Sequence, residues 1–121
     1  MKLLNKSKGI LLSSDAGIAG TFLSRARGLM LSSPADLVLI SPREAIPPSS
    51  IHMLLMRYPI DVIWLDLGKK VVDIQRRVPP ANPLRSGTLR VYKPATPAKY
   101  VIELGKGSAG ETEVGDVISF S

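Results

Sequence analysis

The fold is decided by residues 51–66, whose sequence is IHMLLMRYPIDVIWLD. Residues 61–67 predict a β-strand with apolar side chains on both faces: Val62 and Trp64 on one, Ile63, Leu65 and Leu67 on the other. Such a pattern is typical of a strand that is covered on both sides. Pro59 has no N–H for a sheet ladder, so it predicts a bend, bulge or edge between this strand and an extended segment over residues 51–56.

The segments that follow continue a β pattern. Gly68 marks a tight turn, after which residues 70–76 return antiparallel and complete a hairpin. Residues 100–104 alternate as a strand does, with Tyr100, Ile102 and Leu104 on one face and Val101 and Glu103 on the other. Residues 105–110, GKGSAG, lack the spacing of a phosphate-binding loop and are interpreted as a hairpin turn. Residues 117–120 predict the last strand.

The segments before residue 51 are short strands and loops. Residues 8–12 and 36–40 predict strands, and residues 15–17 (DAG) predict a turn between extended segments. Residues 41–50 are predicted to be a loop, because their three prolines, Pro42, Pro47 and Pro48, interrupt regular pairing.

One short helix is predicted over residues 21–27, from Thr21 to Arg27. The Thr21 hydroxyl can cap its first turn, and Gly28 suits the left-handed residue that ends a helix. With these elements, the chain predicts a mainly β fold: a compact β-sandwich or barrel of short strands with one short N-terminal helix. No repeat or boundary divides residues 1–121, which predicts a single domain.

Composition limits the classes of function. The net charge of +6 raises the chance of an anionic partner, a small anionic ligand or a nucleic acid. The absence of cysteine excludes disulfides, zinc–thiolate sites and a cysteine nucleophile. No apolar run is long enough for a signal peptide or for a membrane span of about 18 residues. We therefore predict a soluble, cytoplasmic monomer with no cofactor and no metal.

Three motifs together resemble a known family. They are RARGLM at residues 25–30, the pair His52-Met53 followed by PIDVIWLD at residues 59–66, and YVIEL at residues 100–104 followed by Gly115-Asp116. Their order and spacing resemble the DUF192 family, also called UPF0127 proteins, over about residues 19–120. The resemblance implies one mostly β domain with a short helix, and it implies no reaction.

This chain departs from the family pattern in its central block. Many relatives have Trp-Met-Lys-Asn-Thr where this chain has HMLLM at residues 52–56. The asparagine position is Leu55 here, so a polar site that depends on that asparagine would be altered or absent.

His52 and Asp61 are the candidate catalytic residues. A histidine and a carboxylate can form a general acid–base pair if the strands bring them together. The structural alternative is that Asp61 accepts backbone N–H groups beside the Pro59 bend. No nucleophile motif lies near either residue, which favours the structural alternative.

Arg25, Arg27 and Met30 are the candidate ligand-binding residues, at the end of the predicted helix. The Arg25 guanidinium suits a carboxylate or phosphate ligand. The alternative is a structural ion pair between Arg25 and Asp61 or Glu103. We favour this ion pair, because burying either charge without a partner is costly.

A basic segment supplies the candidate nucleic-acid contacts. They are Lys69, Lys70, Arg76, Arg77 and Arg90. Tyrosines are interleaved with these cations, as in nucleic-acid-binding surfaces, but the same charges suit a solvated surface.

From all these candidates we expect a small soluble binding or accessory module rather than an enzyme. The alternatives are a hydrolase-type enzyme that uses His52 and Asp61, and a nucleic-acid-binding module.

Overall fold

The computed structural model describes residues 1–19, 34–46, 51–52, 58–80 and 91–121. This part of the chain is mainly β, with two sheets and a short two-stranded ribbon, and it contains no helix. The mainly β prediction is therefore confirmed. The helix predicted over residues 21–27 lies outside the described residues.

The larger sheet has five strands: β3 (Ala16–Ala19), β4 (Asp36–Ala45), β6 (Ile60–Leu65), β7 (Val71–Val78) and β9 (Ala98–Leu104). Their order in the sheet is β3-β4-β9-β6-β7. β3 and β4 run parallel, and the other neighbours are antiparallel. The predicted hairpin is confirmed as β6 and β7.

The smaller sheet has three strands in the order β10-β1-β2: β1 (Leu3–Asn5), β2 (Ile10–Ser13) and β10 (Ile118–Phe120). The first and last strands of the chain are thus neighbours, with Leu3 opposite Phe120. A separate ribbon pairs β5 (Ile51–His52) with β8 (Val91–Tyr92).

Both faces of the five-stranded sheet are buried. Val62 and Trp64 are 0% exposed and belong to one apolar cluster, whereas Ile63 and Leu65 are 0% exposed and belong to another. The second cluster lies between the two sheets, because it includes Leu3 and other residues of the smaller sheet. Full burial of such side chains stabilises the fold by roughly 1.5–3 kcal/mol each. The prediction of a strand covered on both sides is confirmed.

Two predictions about the chain between strands are wrong. Residues 41–50 are predicted to be a loop, but β4 continues through Pro42 to Ala45. The pairing of β4 with β9 shifts register between Ile40 and Ala45, so the proline lies where the ladder is irregular. Residues 105–110 do not form a hairpin turn, because they leave β9 of the larger sheet and lead towards β10 of the smaller one.

Two differences concern the N-terminal strands. Residues 1–8 carry no strong β pattern, yet they contain β1, the middle strand of the smaller sheet. The turn predicted over residues 15–17 is shorter than expected, because β3 already begins at Ala16.

Candidate functional site

A cleft of about 360 Å³ opens beside Asp61, at the end of the larger sheet where the chain crosses to the smaller one. One wall is the end of the β6–β7 hairpin, and the other is the segment of residues 105–110, called here the 105–110 loop. The lining residues are Pro59, Ile60, Asp61, Arg76, Arg77, Leu104, Gly105, Gly107, Ser108 and Gly110.

Asp61 joins the two walls of the cleft through backbone hydrogen bonds. Its Oδ1 accepts the N–H of Arg77 at 2.9 Å, and its Oδ2 accepts the N–H of Ala109 at 2.8 Å. The Ser108 hydroxyl lies 3.5 Å from the same Oδ2. Ala109 is 0% exposed, so its N–H needs a partner inside the protein, and the carboxylate supplies it.

The Arg77 N–H reaches Asp61 because β7 bulges at this point. Ile60 is opposite Val78 and Val62 is opposite Gln75, so two residues of β7, Arg76 and Arg77, face the single residue Asp61. Arg77 has a φ of 51°, the left-handed conformation found in one class of β-bulge, in which glycine is the usual residue.

Asp36 fixes the other end of the 105–110 loop. Its Oδ1 accepts the N–H groups of Lys106 and Gly107 at 2.9 and 2.8 Å, and its Oδ2 accepts the Ser13 hydroxyl at 2.5 Å. Asp36 is 5% exposed, and these bonds satisfy its buried oxygens. The loop is thus held at its start by Asp36 and at its end by Asp61.

Gly107 packs directly against β2. A Cβ at this position would overlap the carbonyl oxygen of Leu12, so only glycine fits without a shift of the backbone. The backbone of the loop therefore lies directly against the smaller sheet at this point.

Two arginines bring positive charge to the cleft. The Arg76 Nη2 donates to the carbonyl oxygens of Gly110 and Thr112 at 3.2 and 2.5 Å, which ties β7 to the loop. These carbonyls do not neutralise the guanidinium. The Arg77 residue is exposed and lines the cleft next to it.

Comparison of the sequence with known families gives a match over nearly the whole chain. The model of the family DUF192, described as "Uncharacterized ACR", matches residues 3–120. The chain belongs to the DUF192 family. The predicted resemblance is confirmed, and the match extends to β1 and β2, beyond the expected start near residue 19.

Relatives of this DUF192 protein cover nearly its whole chain. A UPF0127 protein from Thermococcus sibiricus is 40% identical over 98% of this chain and 73% of its own. A UPF0127 protein from Pyrococcus furiosus is 35% identical over 98% of this chain and 97% of its own. A crystal structure of a protein of unknown function from Novosphingobium aromaticivorans has a TM-score of 0.75 at 18% identity, covering 98% of this chain and 82% of that chain. That last likeness concerns the fold.

The sequence-predicted site residues of this DUF192 protein fall in different places. Arg25, Arg27, Met30 and Arg90 lie outside the described residues. His52 belongs to β5 of the ribbon, paired with Val91, whereas Asp61 belongs to β6 of the larger sheet. Glu103, the alternative partner considered for Arg25, is 0% exposed and lies on the opposite face of β9 from the cleft residue Leu104.

The basic candidates occupy the two ends of β7. Lys69 and Lys70 precede the strand, and Arg76 and Arg77 lie near its end, about 20 Å away at the usual rise of a strand. The Lys69 Nζ lies 4.8 Å from the centroid of the Phe120 ring and 5.9 Å from that of Tyr100. The structure therefore places these four cations in two groups.

Sequence reasoning missed Asp36 and Ser108. The available signal was a short acceptor side chain at the start of a buried strand, and a serine within a glycine-rich segment.

Among the described residues, no three His, Cys, Asp or Glu side chains are grouped so that they could hold a metal ion. The same part of the chain contains no helix that is long and apolar enough to cross a membrane.

Proposed function

We propose that this DUF192 protein is a small binding module that holds a ligand in the cleft beside Asp61. One observation carries the proposal: each Asp61 oxygen accepts a backbone N–H from a different wall, so the carboxylate builds the cleft. A volume of about 360 Å³ lies within the range of roughly 300–1,000 Å³ that is usual for small-molecule sites. The ligand is therefore a small molecule or the end of a larger one.

Three further observations favour binding over hydrolysis. Each Asp61 oxygen accepts a structural hydrogen bond from the backbone, which suits a carboxylate that holds the two walls together better than a general base aimed at a substrate. The Ser108 hydroxyl accepts the N–H of Gly110 at 3.1 Å, which engages the nearest candidate nucleophile in the loop's own structure. His52 lies in a different sheet from Asp61.

The placement of the basic residues favours a small ligand over a nucleic acid. A nucleic-acid surface needs several cations along one track, because its affinity comes mainly from phosphate contacts. Lys69 and Lys70 are separated from Arg76 and Arg77 by the length of β7. A cleft of limited volume beside two arginines suits one anionic or polar group better than a chain of phosphates.

The test is a ligand screen read at the cleft itself. Uniformly ¹⁵N-labelled protein is titrated with separate sets of anionic, neutral and cationic small molecules. We expect at least one set to shift the amide signals of Gly105, Gly107 and Gly110 in a saturable way. The amides of Gly9 and Gly115, which do not line this cleft, serve as the internal control.

The binding proposal is contradicted if no set shifts the three cleft glycines, or if every compound that binds shifts the control glycines instead.

A further inference from the structure

We propose that the group recognised in the cleft is an oxyanion, a phosphate or a carboxylate, and that the Arg77 guanidinium is its anchor. This inference rests on the binding function proposed above and names the chemical class of its ligand. It is argued from the backbone of Arg77, the charges that line the cleft and the use of the loop's N–H groups.

The backbone of Arg77 is one that an arginine does not favour. A φ of 51° costs a residue with a Cβ about 1–2 kcal/mol relative to its usual conformations, and glycine avoids that cost. The hydrogen bond to Asp61 would hold a glycine in the bulge equally well, because it uses only the backbone N–H. The conformation therefore gives no reason for arginine, and the reason lies in the side chain.

The side chain of Arg77 is available to a ligand. The residue is exposed, it lines the cleft, and within the described part of the chain its guanidinium has no hydrogen bond and no ion pair. A guanidinium carries five N–H donors in a planar fork that matches the two oxygens of a carboxylate or phosphate. Arg76 beside it is held by two carbonyl oxygens and adds a fixed positive charge.

The balance of charge in the cleft favours an anion. Its charged lining residues are Arg76, Arg77 and Asp61, which leaves one net positive charge. The negative charge of Asp61 is partly offset, because each of its oxygens faces an N–H dipole. An oxyanion next to Arg77 therefore meets attraction from two guanidinium groups and a weakened repulsion from one carboxylate.

The loop amides do not supply a phosphate cradle of their own. The N–H groups of Lys106 and Gly107 donate to Asp36, that of Ala109 donates to Asp61, and that of Gly110 donates to Ser108. A phosphate-binding loop instead points its N–H groups at the ligand. Recognition must then come from a side chain, and the Arg77 guanidinium is the charged donor that the cleft offers.

The test compares Arg77→Gly with the parent protein. Glycine suits the left-handed backbone of the bulge, so this variant removes the guanidinium without harming the fold, and its thermal midpoint should equal or exceed that of the parent. Inorganic phosphate and acetate are the two probes, each titrated against chloride at matched ionic strength, with the Gly107 and Gly110 amide signals as the readout.

We expect phosphate or acetate to bind the parent and to bind Arg77→Gly at least about tenfold more weakly, as for the loss of a charge-assisted hydrogen-bond pair. Arg77→Lys should bind with an intermediate affinity, because it keeps the charge and loses the fork. Arg43→Ala, which removes an exposed cation from β4 outside the cleft, should bind as the parent does. Which probe binds more tightly decides between phosphate and carboxylate.

Two results would overturn this proposal and leave the binding function in place. One is equal affinity of the parent and Arg77→Gly for both probes. The other is a cleft that binds only neutral or cationic compounds, in which case the binding function stands and the oxyanion assignment fails. If the cleft binds no compound of any charge, the binding function and the oxyanion assignment both fail.

Discussion

At the scale of single residues, Asp36 and Asp61 show how a carboxylate can organise backbone. Each accepts N–H groups of the 105–110 loop, one at its start and one at its end. Four of the loop's N–H groups are used in these bonds and in the bond to Ser108, so a segment without regular structure keeps its polar backbone satisfied.

Replacing Asp61 by asparagine should destabilise the protein. The amide retains one acceptor oxygen, so its NH₂ group would face one of the two N–H donors, and the buried N–H of Ala109 or that of Arg77 would lose its partner. We expect the free energy of unfolding to fall by about 1–3 kcal/mol, measured by urea denaturation. Glu111→Gln, at an exposed position outside the cleft, should change it by less than about 0.5 kcal/mol.

If Asp61→Asn is as stable as the parent, the two hydrogen bonds do not hold the cleft together.

The role of Asp61 was only partly predictable from the sequence. A carboxylate after a proline bend is expected to accept backbone N–H groups, and the sequence favours this structural role for Asp61. Its two partners, Arg77 and Ala109, could not be predicted, because they depend on the bulge in β7 and on where the 105–110 loop crosses between the sheets. The charge of Arg77 is visible in the sequence, but its left-handed backbone is not.

At the scale of elements, the 105–110 loop is defined by its close approach to β2. Gly107→Ala would force a Cβ against the Leu12 carbonyl oxygen, which belongs to the backbone of a strand and cannot easily move. We expect a loss of about 2–3 kcal/mol in the free energy of unfolding, as for other overpacked sites, together with shifted amide signals in β2.

Gly68→Ala is the matched control, because its added Cβ would meet only an ordinary contact, 3.4 Å from the Asp66 side chain. Equal stabilities of the two alanine variants would mean that the loop can move away from β2 without cost.

The elements that a short stretch of sequence defines could be predicted. Those that depend on a strand partner far away in the sequence could not. The β6–β7 hairpin follows from alternation and an adjacent turn at Gly68, both visible in about fifteen residues. β1 was missed because its three residues become a strand only between β2 and β10. The extension of β4 past Pro42 was missed because a register shift with β9 accommodates the proline.

At the scale of the whole molecule, a polar cluster joins the two ends of the chain beside the smaller sheet. The Lys8 ammonium lies 2.7 Å from carboxylate oxygens of both Glu113 and Asp116. The Asn5 Nδ2 donates to Asp116 and to the Thr112 hydroxyl at 2.9 Å each. Asn5 and Thr112 are 0% exposed, so the cluster is continuous with the interior.

This cluster predicts how stability depends on pH. The Lys8 ammonium, the Asn5 amide and the Glu113 N–H lower the pKa of the Asp116 carboxyl from 3.8 to about 2. Because the pKa is lower in the folded state, the stabilisation is fully present above the unfolded value near 4 and is lost as pH falls towards 2. We expect the urea midpoint to fall between pH 5 and pH 2.5, and to fall less steeply in Asp116→Asn.

Glu111→Gln removes an exposed carboxylate that takes no part in the ion pairs of this cluster, and it should leave that acid slope as in the parent. Identical slopes for Asp116→Asn and the parent would show that other carboxylates cause the acid loss.

The pairing of β1 with β10 has a consequence for synthesis of the protein. Leu3 is opposite Phe120, so β1 leaves the ribosome long before its partner β10 has been made. Until then the smaller sheet consists only of the β1–β2 hairpin, and an isolated two-stranded hairpin is marginally stable. The apolar layer between the sheets includes Ile118, so it can close only after β10 has emerged from the ribosome.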